Sequence, residues 1–214
     1  MAAPLMCAGA STFEALAAAG LKEKDTVGVI GLGGLGHMTG LMAKRQCDEV
    51  NVIFTRAQSD EKYAAAHALV GDSGHVFDTT VGMCRSPGGG TFEPVDMRGR
   101  LDILVVCSNE LPDWKTVLPL LARRATIVLM SIVAGGELKL PYMDFILPGH
   151  RIIASTECRR DRFAEMLNMV DMSGTKPWLE EFPMMEQGLE EAFGKLERGE
   201  MRFRGVLTVP EGGI

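Results

Sequence analysis

Three glycines, Gly31, Gly33 and Gly36, follow the apolar run Val27-Gly28-Val29-Ile30 and precede a helix-compatible stretch from His37 to Arg45. Spaced this way, between a buried strand and a helix, glycines can hold a pyrophosphate. The first permits the tight turn, the second lets the backbone approach the phosphates, and the third lets helix and strand pack closely, with the negative charge resting on the helix N-terminus. The Gly-x-Gly-x-x-Gly pattern carries weight here because the strand before it and the helix after it are both present. Gly34 and Leu35 complete the turn.

A second pair of residues bears on which dinucleotide is held. The next strand, Val50 to Thr55, ends in Thr55-Arg56, where an NAD-binding chain places a carboxylate for the ribose hydroxyls. The carboxylates nearest in sequence, Asp48 and Glu49, precede that strand. A carboxylate would repel a 2′-phosphate, whereas Thr55 can donate to it and Arg56 can pair with it through its fork of donors. The pair favours NADP(H), unless Arg56 is only a solvated surface charge.

These residues need a sheet to position them. Alternation of strand-like and helix-like segments continues after the glycine turn: Asp60 to Leu69 reads as a helix, Gly74 to Phe77 as a third strand, and Leu101 to Cys107 as a buried fourth. Pro112 to Leu121 reads as a helix, Ala125 to Ser131 as a fifth strand, Pro141 to Leu147 as a short helix, and Arg151 to Ser155 as a sixth strand. Six strands alternating with helices predict an α/β fold, a Rossmann-type doubly wound parallel sheet in the order 3-2-1-4-5-6. Ligands in such sheets sit beyond the strand C-termini at the switch point, which gathers Gly31 to Gly36, Thr55, Cys107, Ser108, Ser131, Ile132 and Val133 around one crevice. Asp78 to Arg100, with Ser86-Pro87-Gly88-Gly89-Gly90 inside it, is expected to be a long surface loop. Beyond residue 160 the chain changes character: an amphipathic stretch from Arg162 to Val170, a mixed segment from Trp178 to Met185, a helix from Leu189 to Arg198 and a last strand from Phe203 to Val209.

Composition narrows the function classes. A net charge of −6 with no basic run disfavours non-specific nucleic-acid binding. No apolar stretch reaches the roughly 20 residues of a membrane-spanning helix, and the N-terminus lacks the pattern of a signal peptide, so a cytoplasmic protein without a membrane partner is expected. Cys7, Cys47, Cys84, Cys107 and Cys158 are scattered and form no Cys-x-x-Cys, which reads as reduced thiols.

With these residues assembled, the chain resembles the zinc-dependent medium-chain alcohol dehydrogenases, and within them the cinnamyl-alcohol-dehydrogenase-like branch that uses NADP(H). Four stretches carry the resemblance: Ala3-Pro4-Leu5-Met6-Cys7-Ala8-Gly9-Ala10-Ser11-Thr12, Gly31 to His37, Asp102 to Cys107 with Ser131-Ile132, and Ala192-Phe193 through Leu196 and Gly199 to Arg202-Phe203-Arg204. It implies that Cys7 descends from a catalytic zinc ligand and that Ser11 touches the nicotinamide end. It further implies that Arg204 lies near the pyrophosphate, that Ile132, Val133 and Ser155 hold the carboxamide mainly through backbone groups, and that Ile152 to Ser155 is the edge of a homodimer.

The resemblance also implies a division of the chain: residues 1–20 as a helix connecting from a catalytic domain, 21–160 as the dinucleotide-binding domain, and 161–214 as a segment returning to that GroES-like catalytic domain. The catalytic domain itself is absent from these residues, so a truncated chain retaining cofactor binding is expected, with no catalytic residue of its own. Phe163, Leu167, Trp178, Leu179, Phe182 and Leu189 are expected to lose packing partners with it. A catalytic zinc needs about three protein ligands and one open position; of the family's set only Cys7 is present, so a free thiol is expected there. In a complete enzyme of the family, zinc polarises the carbonyl of an aldehyde while the cofactor supplies hydride. Three functions follow: an NADP(H)-dependent oxidoreductase interconverting aldehydes and primary alcohols, a catalytically inactive NADP(H)-binding module or dimerisation partner, and a zinc-free quinone or enoyl reductase relative. The Ala3–Gly9 setting of Cys7 argues against the third.

Overall fold

Strands form where apolar, β-branched residues run together. In the computed structural model, which describes residues 2–87 and 91–209, β1 (Thr26–Ile30), β2 (Glu49–Phe54), β3 (Val76–Asp78), β6 (Leu101–Val106), β7 (Leu121–Leu129) and β8 (Arg151–Ala154) pair in parallel in the spatial order β3-β2-β1-β6-β7-β8. This is the order 3-2-1-4-5-6, with helices on both faces. Side chains alternate across it: Val27, Val29, Ile103, Val105 and Val128 face one core, and Ile30, Leu104, Val106 and Ile127 the other.

The first core is closed by α1 (Ala8–Ala19), α2 (Gly36–Ala43) and α6 (Arg160–Ser173), through Phe13, Leu16, Met38, Met42, Met166 and Val170. The second is closed by the single turn α4 (Trp114–Val117) and the 3-10 turn Leu118–Leu120. A third cluster seats α3 (Asp60–Val70) on β2 and β3 through Tyr63, Ala66, Leu69 and Val70.

The structure differs from expectation at three places. The sheet has eight strands, because the expected loop from Asp78 to Arg100 contains two short antiparallel strands, β4 (Met83–Arg85) and β5 (Phe92–Glu93), added beyond β3. Arg85 holds them down: its guanidinium lies 4.4 Å over the Tyr63 ring and 5.2 Å from the Phe92 ring, and it pairs with Asp60 at 2.6 Å. The Gly88–Gly90 part of that expected loop lies outside the described residues. The helix expected from Pro112 to Leu121 is shorter, and β7 begins at Leu121 rather than Ala125, with Arg124 at a φ of 63° where the strand bends.

The C-terminal part adds β9 (Glu180–Pro183), α7 (Glu186–Glu197) and β10 (Gly205–Thr208); β9 and β10 form a two-stranded parallel ribbon. A short helix, α5 (Tyr142–Ile146), precedes β8. Of the six side chains expected to lose partners, Leu167 is exposed, Phe182 is buried at 4%, and Phe163, Trp178, Leu179 and Leu189 are half-buried. The apolar groups standing in solvent are others, among them Phe193 and Leu196, each 59% exposed. Phe182 is covered because β10 pairs beside it and the Lys195 ammonium lies 5.6 Å over its ring.

Candidate functional site

The glycine turn sits at the C-terminal end of β1, between the ends of β2 and β6. Gly31 has a φ of 88°, and a Cβ there would lie 2.6 Å from the Ser108 nitrogen, so both conformation and space demand glycine. A Cβ on Gly36 would lie 1.8 Å from the Gly31 carbonyl oxygen; helix α2 and the turn are in backbone contact. Gly33 is different: a Cβ there would meet nothing within 4 Å, so this position opens to the crevice. Helix α2 has no side-chain cap, and the amides of Gly33, Gly34 and Leu35 donate to no described residue. Unsatisfied amides at a helix N-terminus beside open space fit a phosphate-bearing ligand.

Two adjoining cavities flank this turn. One, of about 260 Å³, is lined by Gly31, Gly33, Thr55, Arg56, Cys107 and Ser108, together with Lys62 and Glu110. The other, of about 630 Å³, is lined by Gly33, Gly34, Leu35, Arg56 and Cys107, and on its far side by Arg202, Phe203 and Arg204. Arg204 donates from Nε to the Gly34 carbonyl at 3.2 Å, which ties the last ribbon to the turn. His37 reinforces the tie. Its Nδ1 donates to the Gly33 carbonyl at 3.0 Å, and its ring lies 4.9 Å from Phe203 and 6.1 Å from Trp178. Burial, aided by the nearby Arg204 charge and opposed by the bond to Gly33, lowers the His37 pKa to about 4, so the ring is neutral near pH 7.

Cys107 closes the floor. Its amide donates to the Ile30 carbonyl at 2.8 Å, its sulfur lies 3.5 Å from the Thr39 hydroxyl, and burial pushes its thiol up to about 12. It is an inert wall, not a nucleophile.

The remaining sequence candidates lie elsewhere. Ser131 donates to the Val106 carbonyl at 3.2 Å and lines, with Val133, a separate depression of about 190 Å³; Ile132 between them is 89% exposed. The buried Ser155 donates its amide to the Leu129 carbonyl at 3.1 Å, at the end of β8. Ser11 is buried in α1, and Cys7 is exposed at its start; neither lines these cavities. Among the described residues no three His, Cys, Asp or Glu side chains cluster to hold a metal ion. All five cysteines are free thiols, and no helix of the described residues is long and apolar enough to cross a membrane.

Crevice residues that were not candidates in the sequence include Lys62, Glu110 and Arg202. Lys62, in the first turn of α3, lines both cavities, and its pKa is lowered by burial and by the Arg202 and Arg56 charges. Its place, a cation shortly after Thr55-Arg56 on the helix that follows, is a signal the sequence did offer. Glu110 and Arg202 are distant from the glycines in sequence and come to the crevice only through the sheet order and the final ribbon. Arg202 pairs with Glu61 at 3.1 Å, and Arg56 with Glu110 at 3.7 Å.

No protein-family model matches the chain. An NADP-dependent alcohol dehydrogenase from Saccharomyces cerevisiae is 29% identical over 97% of the chain and 54% of its own length. A solved cinnamyl alcohol dehydrogenase from Sorghum bicolor covers the whole chain with 56% of its own, at 25% identity and a TM-score of 0.78. A cinnamyl alcohol dehydrogenase from Helicobacter pylori, solved in complex with NADP(H), covers 99% of the chain and 55% of its own, at 24% identity and a TM-score of 0.74. The chain thus spans about half the length of the relatives it matches. In sequence and in fold, the chain is similar to NADP-dependent and cinnamyl alcohol dehydrogenases over about half of their length.

Proposed function

We propose that the chain holds NADP(H) in the crevice at the C-terminal edge of the sheet and serves an oxidoreductase that interconverts aldehydes and primary alcohols. The observation that carries this is the glycine turn: Gly31 and Gly36 locked by backbone contact, Gly33 open, and Gly33, Gly34 and Leu35, whose amides donate to no described residue, lining the cavity. Gly33, Gly34 and Leu35 bind the pyrophosphate through their amides, with Arg204 beside them. Thr55, Arg56 and Lys62 bind the 2′-phosphate, which their donors and positive charges favour over a bare ribose hydroxyl. Cys107 and Ser108 floor the site; Ser131, Ile132 and Val133, at the separate depression, orient the nicotinamide end. The bound cofactor supplies the hydride, and this chain's part is to hold and orient it.

The relatives' names support the NADP(H) and alcohol assignments. Residues 21–160 form the dinucleotide-binding unit in this reading, flanked by 1–20 and 161–214. β8, the end strand of the sheet, supplies the Ile152–Ser155 edge for pairing with a second copy. Cys7, exposed and away from the crevice, favours a second reading in which the chain binds NADP(H) without turnover. Titration calorimetry with NADPH and with NADH tests the proposal: NADPH is expected to bind more tightly, and equal affinities, or no binding of either, would overturn it. Oxidation of NADPH by cinnamaldehyde, with zinc content measured on the same sample, separates the two readings.

A further inference from the structure

The crevice contains one carboxylate that the proposed function does not use. Glu110 sits in the loop after β6, where the Ser108 hydroxyl donates to its backbone carbonyl at 2.5 Å. Its Oε1 lies 3.7 Å from Nη1 of Arg56, which stands just beyond the end of β2. Because β2 and β6 flank β1 on opposite sides, the pair spans the opening above Gly31. The other acids near the crevice are engaged elsewhere: Glu61 pairs with Arg202 at 3.1 Å, and Asp113 accepts the Lys115 amide at 3.0 Å at the start of α4. The two side chains of the spanning pair are 68% and 79% exposed. Such a pair is weakly held and easily exchanged.

We infer that Glu110 is an internal competitor for the phosphate position at Arg56, and that it sets how strongly the crevice favours a 2′-phosphorylated adenosine over an unphosphorylated one. This rests on the NADP(H) reading above. In the free chain the carboxylate occupies the Arg56 guanidinium. A phosphate monoester, with up to two charges and three acceptor oxygens, takes its place. The released carboxylate then stands beside the phosphate as a like charge, so the binding of phosphate is weakened twice, once by competition and once by repulsion. A ribose hydroxyl carries no charge and feels neither. Lys62, which has no ion-pair partner among the described residues, keeps the site cationic while Arg56 is engaged.

Calorimetric titration of the full chain and its Glu110→Gln variant with NADPH, NADH and adenosine 2′,5′-bisphosphate tests this. The exposed position of Glu110 keeps the substitution compatible with the fold. The variant is expected to bind NADPH and the bisphosphate about fivefold more tightly at low salt, with the gain shrinking as salt is added, and to bind NADH unchanged. The gain is expected to shrink to the repulsive part when Arg56 is already alanine. Unchanged NADPH affinity in the variant, or an equal gain for NADH, overturns the inference alone. Weaker NADH binding overturns it too and makes Glu110 a ribose acceptor. A gain that persists undiminished without Arg56 overturns the competition. A parent chain that binds none of the three ligands overturns the cofactor reading, and this inference with it.

Discussion

The glycine turn and the face carried by α7 and the β9–β10 ribbon are built by opposite means. At the turn, side chains are withdrawn: Gly31, Gly33 and Gly36 bare the backbone, and the groups presented are amides with a fringe of Arg56, Lys62 and Arg204. On the other face, Phe193, Leu196, Met184 and Met185 stand out from a surface whose polar groups are paired with one another, as Glu180 is with Lys195 and with the Arg202 amide. A concave site of fixed amides recognises charge and shape in a small ligand. An exposed apolar face recognises area. The two meet at one cluster, where Phe203 and Trp178 cover the His37 ring.

Substitution at glycines separates the two regions most sharply. Gly36→Ala drives a methyl group into the Gly31 carbonyl, backbone against backbone, and is expected to cost about 3 kcal/mol or more, read from the denaturant midpoint. Gly199→Ala, in the C-terminal part, meets no atom and carries only the strain of its φ of 68°, about 1–2 kcal/mol. Equal losses would mean that the turn is no more tightly built than the ribbon.

The junction between the regions is pH-sensitive. Because burial holds His37 at about 4 instead of 6.5, the unfolded chain takes up this proton at a higher pH than the folded chain. Stability is therefore complete above about 6.5 and falls as the pH drops towards 4, by up to about 3 kcal/mol. His67 and His150, also lowered by burial, act in the same direction. Urea midpoints across this window should fall less steeply in His37→Gln; an unchanged slope would place the acid loss elsewhere.

Smaller effects belong to the rims. Arg56→Asp is expected to weaken NADPH binding by about 1–3 kcal/mol, the scale of a lost charge-assisted hydrogen bond, and Thr55→Asp to move preference towards NADH; calorimetry reads both. Smallest of all, Leu196→Gln on the apolar face should change stability by no more than about 0.5 kcal/mol, because the side chain is already in water. A larger loss in thermal melting would show that this face packs against something in solution.

The parallel sheet was legible because its central strands β1, β2 and β6 are continuous apolar runs buried on both faces, and such runs announce themselves without tertiary information. The glycine turn was legible for the same local reason. β4 and β5 were not, since strands of three and two residues carry no period and are held by Arg85 reaching Tyr63, Phe92 and Asp60 across the fold. Phe182 was read as unpartnered because its cover, β10 and Lys195, lies later in the chain. Glu110 faces Arg56 only because β6 lies beside β1, a neighbour relation the sequence implies but whose rotamers it does not.

The margins of the sheet are unequal. At one end β5 is two residues long and leaves little ladder to extend; at the other, β8 offers four residues with no described strand outside it. A sheet with two open margins can accept copies at both and grow into a fibre. With one margin blunted, the β5 end offers little backbone for edge-to-edge addition, so the small antiparallel appendage beyond β3 shields that margin as well as lengthening the sheet.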